Sequence, residues 1–145
     1  MQSGKLITFE GLDGCGKSTQ LEKATKWLAL QGCEVLKTQQ PGGTRKGKQI
    51  RNILLNPDHK EFHPESELLL YLSDRIQHLT ETILPAKAEG KIVLCDRFHD
   101  STVAYQGYGR GLNLKNIKSI ITYSIKPYTP AVSYTHLTLP TILLV

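Results

Sequence analysis

Gly11-Leu12-Asp13-Gly14-Cys15-Gly16-Lys17-Ser18 fits G-x-x-x-x-G-K-[ST], the pattern of a phosphate-binding loop. Its glycines permit a tight turn whose backbone N–H groups face phosphate oxygens. Lys17 supplies a mobile positive charge for β- and γ-phosphates, and the Ser18 hydroxyl suits Mg²⁺. The flanks agree with this reading. Residues 5–10, Lys-Leu-Ile-Thr-Phe-Glu, read as a buried strand. Residues 18–30 read as a helix with Leu21, Ala24, Trp27 and Leu28 on one face. A ligand-free glycine turn is the bland alternative, but strand, loop and helix fall in the order that phosphate binding requires. Gly11, Leu12, Asp13, Gly14, Cys15, Gly16, Lys17, Ser18 and Thr19 are therefore the candidate nucleotide-binding residues.

The chain has 145 residues and 39% hydrophobic content, enough for one domain with a core. It has no apolar run of membrane-spanning length and no N-terminal leader pattern. Cys15, Cys33 and Cys95 form neither a C-x-x-C pair nor a metal spacing, which suits a reducing cytoplasm. The net charge of +5 could suggest nucleic acid. No Asp or Glu follows Asp100, however, while Arg110, Lys115, Lys118 and Lys126 do. No dense basic stripe with interleaved aromatics occurs, so neither nucleic acid nor a membrane is expected as partner.

Gly32 is a helix stop, and residues 33–38 read as a second strand. Gln40-Pro41-Gly42-Gly43-Thr44 is a turn, followed by a short helix over 46–55. Pro64-Glu65-Ser66-Glu67 opens a long helix whose apolar face is Leu68, Leu72, Ile76, Leu79 and Ile83. Pro85 should kink or end it. Residues 91–96 read as a third strand. A helical stretch starts near Ser101, and another covers 114–124. Alternating strands and helices predict an α/β fold with a parallel sheet and ligands at the strands' carboxyl ends.

Asp96 ends an apolar strand, as a Mg²⁺-supporting acid does, and Arg97 follows it. A guanidinium can grip phosphate bidentately. A structural Asp–Arg pair is the bland alternative. Tyr71 and Arg75, at i and i+4, could stack on a base and hydrogen-bond its edge, or could be a half-buried Tyr with an exposed Arg. Thr102 and Tyr105 share a helix face within a polar, glycine-rich segment that includes Gln106. Arg45, Lys46, Lys48 and Arg51 form a basic cluster, from which one residue could face phosphate. The five histidines show no ligand spacing.

Together, the segments Phe9 to Gln20, Pro41-Gly42-Gly43-Thr44, Leu70-Tyr71-Leu72-Ser73-Asp74-Arg75, Asp96-Arg97-Phe98 and Ala104-Tyr105-Gln106-Gly107 resemble thymidylate kinase. The resemblance covers roughly residues 5–130, in the family's order and spacing. It implies the P-loop nucleoside monophosphate kinase fold, and transfer of the γ-phosphate of Mg·ATP to dTMP, with ATP and Mg²⁺ required and a homodimer as assembly. It places Lys17, Asp96 and Arg97 in catalysis, and Ser18 and Asp96 at the metal. Asp13 would meet the deoxyribose 3′-OH, and Arg97 the acceptor phosphate. Tyr71 would stack on thymine, with Arg75 and Thr102 at its edge. Tyr105 would crowd the 2′ position, while Arg51 and Gln106 complete the substrate set.

Two departures stand out. Gln39-Gln40 occupy the place where many bacterial members carry Arg-Glu. Gly14 stands where one branch carries an arginine, which implies a catalytic arginine in a later lid segment. After Pro130 the pattern breaks off: residues 131–145 contain no Asp, Glu, Lys or Arg. Within them, residues 132–141 can be encoded by codons resembling a transposon-end sequencing adapter, whose preceding bases also permit Ala131. The expected organisation is a truncated kinase domain over 1–130 and a non-native tail over 131–145. An uncovered sheet edge, low stability and little kinase activity are expected to follow. Another deoxynucleoside monophosphate kinase and a non-catalytic nucleotide-binding remnant are the alternative readings.

Overall fold

The computed structural model describes residues 4–59, 61–125 and 128–135. Four parallel strands form one sheet in the order β2-β3-β1-β4: β1 (Leu6–Glu10), β2 (Val35–Gln39), β3 (Ile92–Asp96) and β4 (Val132–Thr135). Helices cover both faces, as a parallel sheet requires. Period-two alternation along β1 sends Leu6, Thr8 and Glu10 to one face, and Ile7 and Phe9 to the other. The first face packs Leu6, Val93 and Cys95 against Leu68, Leu72, Leu79, Ile83, Ile117 and Ile121. The second packs Phe9 and Leu94 against Leu21, with Ala24 and Leu28 beside them.

The predicted elements are present with small shifts of boundary. Helix α1 is Lys17–Leu30, α2 is Arg45–Leu55, α3 is Pro64–His78, α4 is Leu84–Ala88, α5 is His99–Thr102 and α6 is Leu114–Ile125. Two expectations fail. The helical run does not end at Pro85. The chain passes from α3 through a π-helical turn, Leu79–Ile83, into α4, where Pro85 sits in the first turn and needs no intrahelical N–H partner. Ile76 and Trp27, expected in the core, are exposed. Ile76 falls outside the face of α3 that packs Leu68 and Leu72 into the core, and Trp27 lines an open groove with Ile7, Phe9, Ala24, Val132 and Tyr134. The helical stretch expected near Ser101 is present, and its second part is π-helical. α5 begins at His99 and runs into a π-helical stretch, Val103–Gly109.

The sheet edge at β1 is covered, contrary to expectation. Ala131 N–H donates to Leu6 O at 2.9 Å, and β4 pairs in register with β1, Ile7 opposite Val132 and Glu10 opposite Thr135. The rest of the tail expected to be non-native, residues 136–145, lies outside the described residues.

A buried polar seam joins the Pro41 turn to α3 and α2. The Gln40–Pro41 peptide is cis. Gly42 N–H donates to Asp74 Oδ1 at 3.0 Å, and the Thr44 side chain caps α2 by accepting from Gly47 N–H at 2.8 Å. Gly43 and Gly47 let the elements approach. A Cβ at Gly43 would stand 2.2 Å from His78 Nε2, and one at Gly47 would stand 2.3 Å from Asp74 Oδ1. Alanine in place of a helical glycine ordinarily stabilises, by up to about 1 kcal/mol, and Gly47 is the third residue of α2. Here Asp74 is pinned by Gly42 and cannot move aside, so overpacking outweighs propensity. Gly47→Ala is expected to lower unfolding free energy by about 1–2 kcal/mol, measured by urea denaturation. A stabilised variant would contradict the seam.

Candidate functional site

Register aligns the carboxyl ends of three strands: Phe9 and Gln39 both pair with Asp96. Loops leaving these ends build two adjoining clefts. The first, of about 360 Å³, is lined by Asp13, Gly14, Gly16, Lys17, Ser18 and Thr19, and by Gln39, Gln40, Arg51, Asp96 and Arg97. The second, of about 240 Å³, has Tyr71, Arg75, Thr102, Tyr105 and Gln106 in its walls. Asp13, Gln40, Arg51 and Arg97 line both.

Every candidate residue except Gly11, Leu12 and Cys15 lines one of these clefts. Those three shape the loop. Gly14 and Gly16 have φ of 77° and 89°, conformations that favour glycine, and Gly16 caps α1. Lys17 is buried and curls back, its Nζ donating to Leu12 O at 2.7 Å. Of the basic cluster, only Arg51 reaches the clefts, its Nη1 donating to Pro41 O at 2.8 Å. Asp96 and Ser18 stand together in the first cleft. Asp96 Oδ1 is buried and has no hydrogen-bond partner among the described residues.

Arg97 sits where β3 gives way to α5, in the left-handed region at φ 66°. That conformation is costly for a residue with a side chain. Bonds on both sides hold it: Arg97 N–H donates to Phe9 O at 2.9 Å, and Phe98 N–H donates to Glu10 Oε1 at 2.7 Å. The turn swings the guanidinium to the junction of the clefts. Its Nη2 donates to Asp13 Oδ1 at 2.7 Å, its Nη1 reaches Ser101 Oγ and Tyr105 Oη at 3.3 Å each, and it lies 5.3 Å from the Tyr105 ring centre. The bond and the charge of Arg97 hold the Asp13 carboxyl below its usual range.

Arg75 is 1% exposed and Tyr71 is partly buried, so the bland alternative of an exposed Arg does not hold. Its Nε donates to Gln40 Oε1 at 3.0 Å. Its Nη2 donates to Phe98 O at 3.0 Å and to Thr102 Oγ1 at 2.5 Å. Nη1 is buried and has no hydrogen-bond partner among the described residues. Burial lowers the Arg75 pKa to about 10, with Glu10 and Asp74 opposing the shift, so it stays charged near neutrality. Gln40, noted in the sequence only as a departure, therefore accepts from Arg75 as a neutral partner.

Sequence reasoning missed Glu10, Asp74 and His78. Glu10 is 3% exposed and bridges Phe98 N–H and the Ser101 hydroxyl, the latter at 2.5 Å. Burial raises its pKa and that of Asp74. His78 Nε2 shares a 2.7 Å hydrogen bond with Thr38 Oγ1. Polar residues within otherwise apolar faces, Glu10 ending β1 and the i, i+4 pair Asp74 and His78 on α3, were the available signal.

The family profile described as Thymidylate kinase matches residues 9–134. A curated thymidylate kinase of Pelotomaculum thermopropionicum is 53% identical over 117 residues, covering 81% of this chain and 54% of that protein. One of Exiguobacterium sibiricum is 48% identical over 132 residues, covering 91% of this chain and 62% of that protein. The chain thus spans little more than half the length of these relatives. The crystal structure of thymidylate kinase from Ehrlichia chaffeensis superposes with a TM-score of 0.83 at 37% identity, covering 92% of this chain and 74% of that one. Among the described residues, no helix is long and apolar enough to cross a membrane.

The seam beneath the site gives a pH signature. Burial, reinforced by the charge of Arg75, lowers the His78 pKa from 6.5 to about 4. Above the unfolded value, both states hold a neutral ring. Between the two values, the unfolded chain binds a proton that the folded chain refuses, so stability is lost as pH falls through that window. The raised carboxyls, Glu10 and Asp74, act in the opposite sense, so the His78 contribution is read as a difference between variants. His78→Gln keeps a polar partner for Thr38 but does not titrate. Relative to this variant, the wild-type chain is expected to lose about 2 kcal/mol between about pH 7 and about pH 5 in urea unfolding. Parallel pH profiles would contradict a neutral, buried His78.

Proposed function

Because this chain belongs to the thymidylate kinase family, we propose that its clefts take ATP and dTMP, and that the site moves the γ-phosphoryl group of ATP onto the dTMP 5′-phosphate, giving ADP and dTDP. The observation that carries this reading is the junction itself. A phosphate-loop cleft and a base-sized cleft meet at Arg97, Arg51 and Asp13. Two anionic phosphates can be brought together only where cations stand between them.

Each residue then has a task. Backbone N–H groups of the loop and the N-terminus of α1 face the donor phosphates. Lys17 Nζ leaves its neutral acceptor, Leu12 O, for a charged phosphate oxygen, a stronger bond. Arg97, already oriented by Asp13 and Tyr105, holds the acceptor phosphate in line. Asp13 accepts from the sugar 3′-OH, and Tyr105 fills the space at the 2′ position. Tyr71 stacks on the base, and Arg75, steadied by Gln40 and Thr102, meets its edge.

The residues fit Mg²⁺. Asp96 Oδ1 has no hydrogen-bond partner among the described residues and lines the same cleft as Ser18, and Mg²⁺ takes one or two protein oxygens together with substrate phosphates. Ser18 and Asp96 would hold the ion, which supplies charge neutralisation on the donor phosphates when bound.

Equilibrium binding of nucleotides tests the reading. dTMP is expected to bind at least about tenfold more tightly than thymidine, because Arg97 and Arg51 grip the phosphate with charge-assisted bonds. Arg97→Ala should bring dTMP close to the thymidine value. Equal affinity for dTMP and dGMP, or an Arg97→Ala chain that keeps the phosphate preference, would contradict it.

A further inference from the structure

Thymine and cytosine are distinguished along their pairing edge. Thymine and uracil present an N3–H donor and an O4 acceptor; cytosine presents an N3 acceptor and an N4 amino donor. Gln106 and Arg75 both line the second cleft and both are buried. An amide can serve either base, depending on which way round it sits, because one end donates and the other accepts.

Glu67 decides that orientation. Gln106 Nε2 donates to Glu67 Oε1 at 2.8 Å. Arg110 grips the same carboxylate, Nη2 to Oε2 at 2.6 Å and Nε to Oε1 at 3.4 Å. Burial raises the Glu67 pKa, but the bonds from Arg110 and Gln106 more than offset it, and the group lies below its usual range. An ionised carboxylate only accepts hydrogen bonds. Turning the Gln106 amide round would set its oxygen against a carboxylate oxygen. The carbonyl oxygen of Gln106 is therefore the end left for a ligand. Arg75 Nη1 has no hydrogen-bond partner among the described residues, so it offers a donor that cannot be turned into an acceptor. The cleft thus presents one fixed acceptor and one fixed donor, complementary to N3–H and O4.

We propose that Glu67, which lines neither cleft, is a positioning residue that locks the Gln106 amide and so makes the site prefer thymine- and uracil-type bases over cytosine. The inference rests on the reading of the second cleft as a deoxynucleoside monophosphate site. In the sequence, Glu67 is only an acidic residue in the first turn of a helix. Its action on specificity comes from a contact across 39 positions of chain.

The experiment measures dissociation constants of dTMP, dUMP and dCMP on the 145-residue chain. Glu67→Gln is isosteric but can face Gln106 with either an oxygen or an amino group. It is expected to weaken dTMP and dUMP about tenfold each and to lower the dTMP-over-dCMP preference by at least that factor. Glu67→Asp, still acceptor-only, and Arg110→Ala, which leaves the Glu67–Gln106 bond in place, are both expected to keep the preference within about threefold. Gln106→Leu, which has no acceptor to position, is expected to lose it even if Glu67→Gln fails to fold. A Glu67→Gln chain that weakens all three nucleotides alike, or a Gln106→Leu chain that keeps the preference, would overturn the proposal while leaving the nucleotide site standing. A wild-type chain that does not bind dTMP would instead overturn the reading on which it rests.

Discussion

A guanidinium out of reach of water organises this protein. Arg75 lies in the core with its charge intact, and three surrounding groups pay for its lost hydration by accepting from it: Gln40 Oε1, Phe98 O and Thr102 Oγ1. These acceptors come from the turn after β2, the turn after β3 and the end of α5. A buried charge tolerates almost no loss of partners, so the three segments are held in one arrangement. The Phe98 ring, 5.5 Å from the guanidinium carbon, closes the remaining side. The one nitrogen left over, Nη1, is the group the second cleft can use.

The arrangement carries over to Arg97. Fixing Phe98 O on Arg75 and Phe98 N–H on Glu10 leaves the preceding residue to absorb the change of direction, and Arg97 does so at positive φ. Backbone strain is thereby converted into placement. The guanidinium arrives at the junction of the clefts, bound to Asp13 of the phosphate loop. Buried arginine and junction arginine are coupled through a single phenylalanine backbone, so the base-sized cleft and the phosphate cleft cannot be positioned independently.

Local signals carried much of this. Glycine spacing and apolar runs located the phosphate loop, the sheet strands and the helices, because these depend on neighbours in sequence. The fates of Trp27 and Ile76 depend on which face of a helix meets the sheet, and an apolar residue on a flank looks the same in sequence as one in the core. The π-helical turn ahead of Pro85 was likewise hidden, since a proline normally signals a break and a locally widened helix has no compositional mark. Glu10, Asp74 and His78 were missed for a different reason: their partners are 91, 32 and 40 positions away. Gln40 looked like a lost charge. In the fold it is a neutral acceptor for Arg75, a role that only the partner reveals.

The central claim is that the buried Arg75 charge builds the second cleft. Arg75→Lys tests it most directly, since lysine keeps the charge but lacks the planar fork that reaches three acceptors. Titration of this variant with dTMP is predicted to show at least about a tenfold loss of affinity, together with a stability loss of about 3 kcal/mol in urea unfolding. Wild-type affinity for dTMP in a folded Arg75→Lys chain would contradict the account.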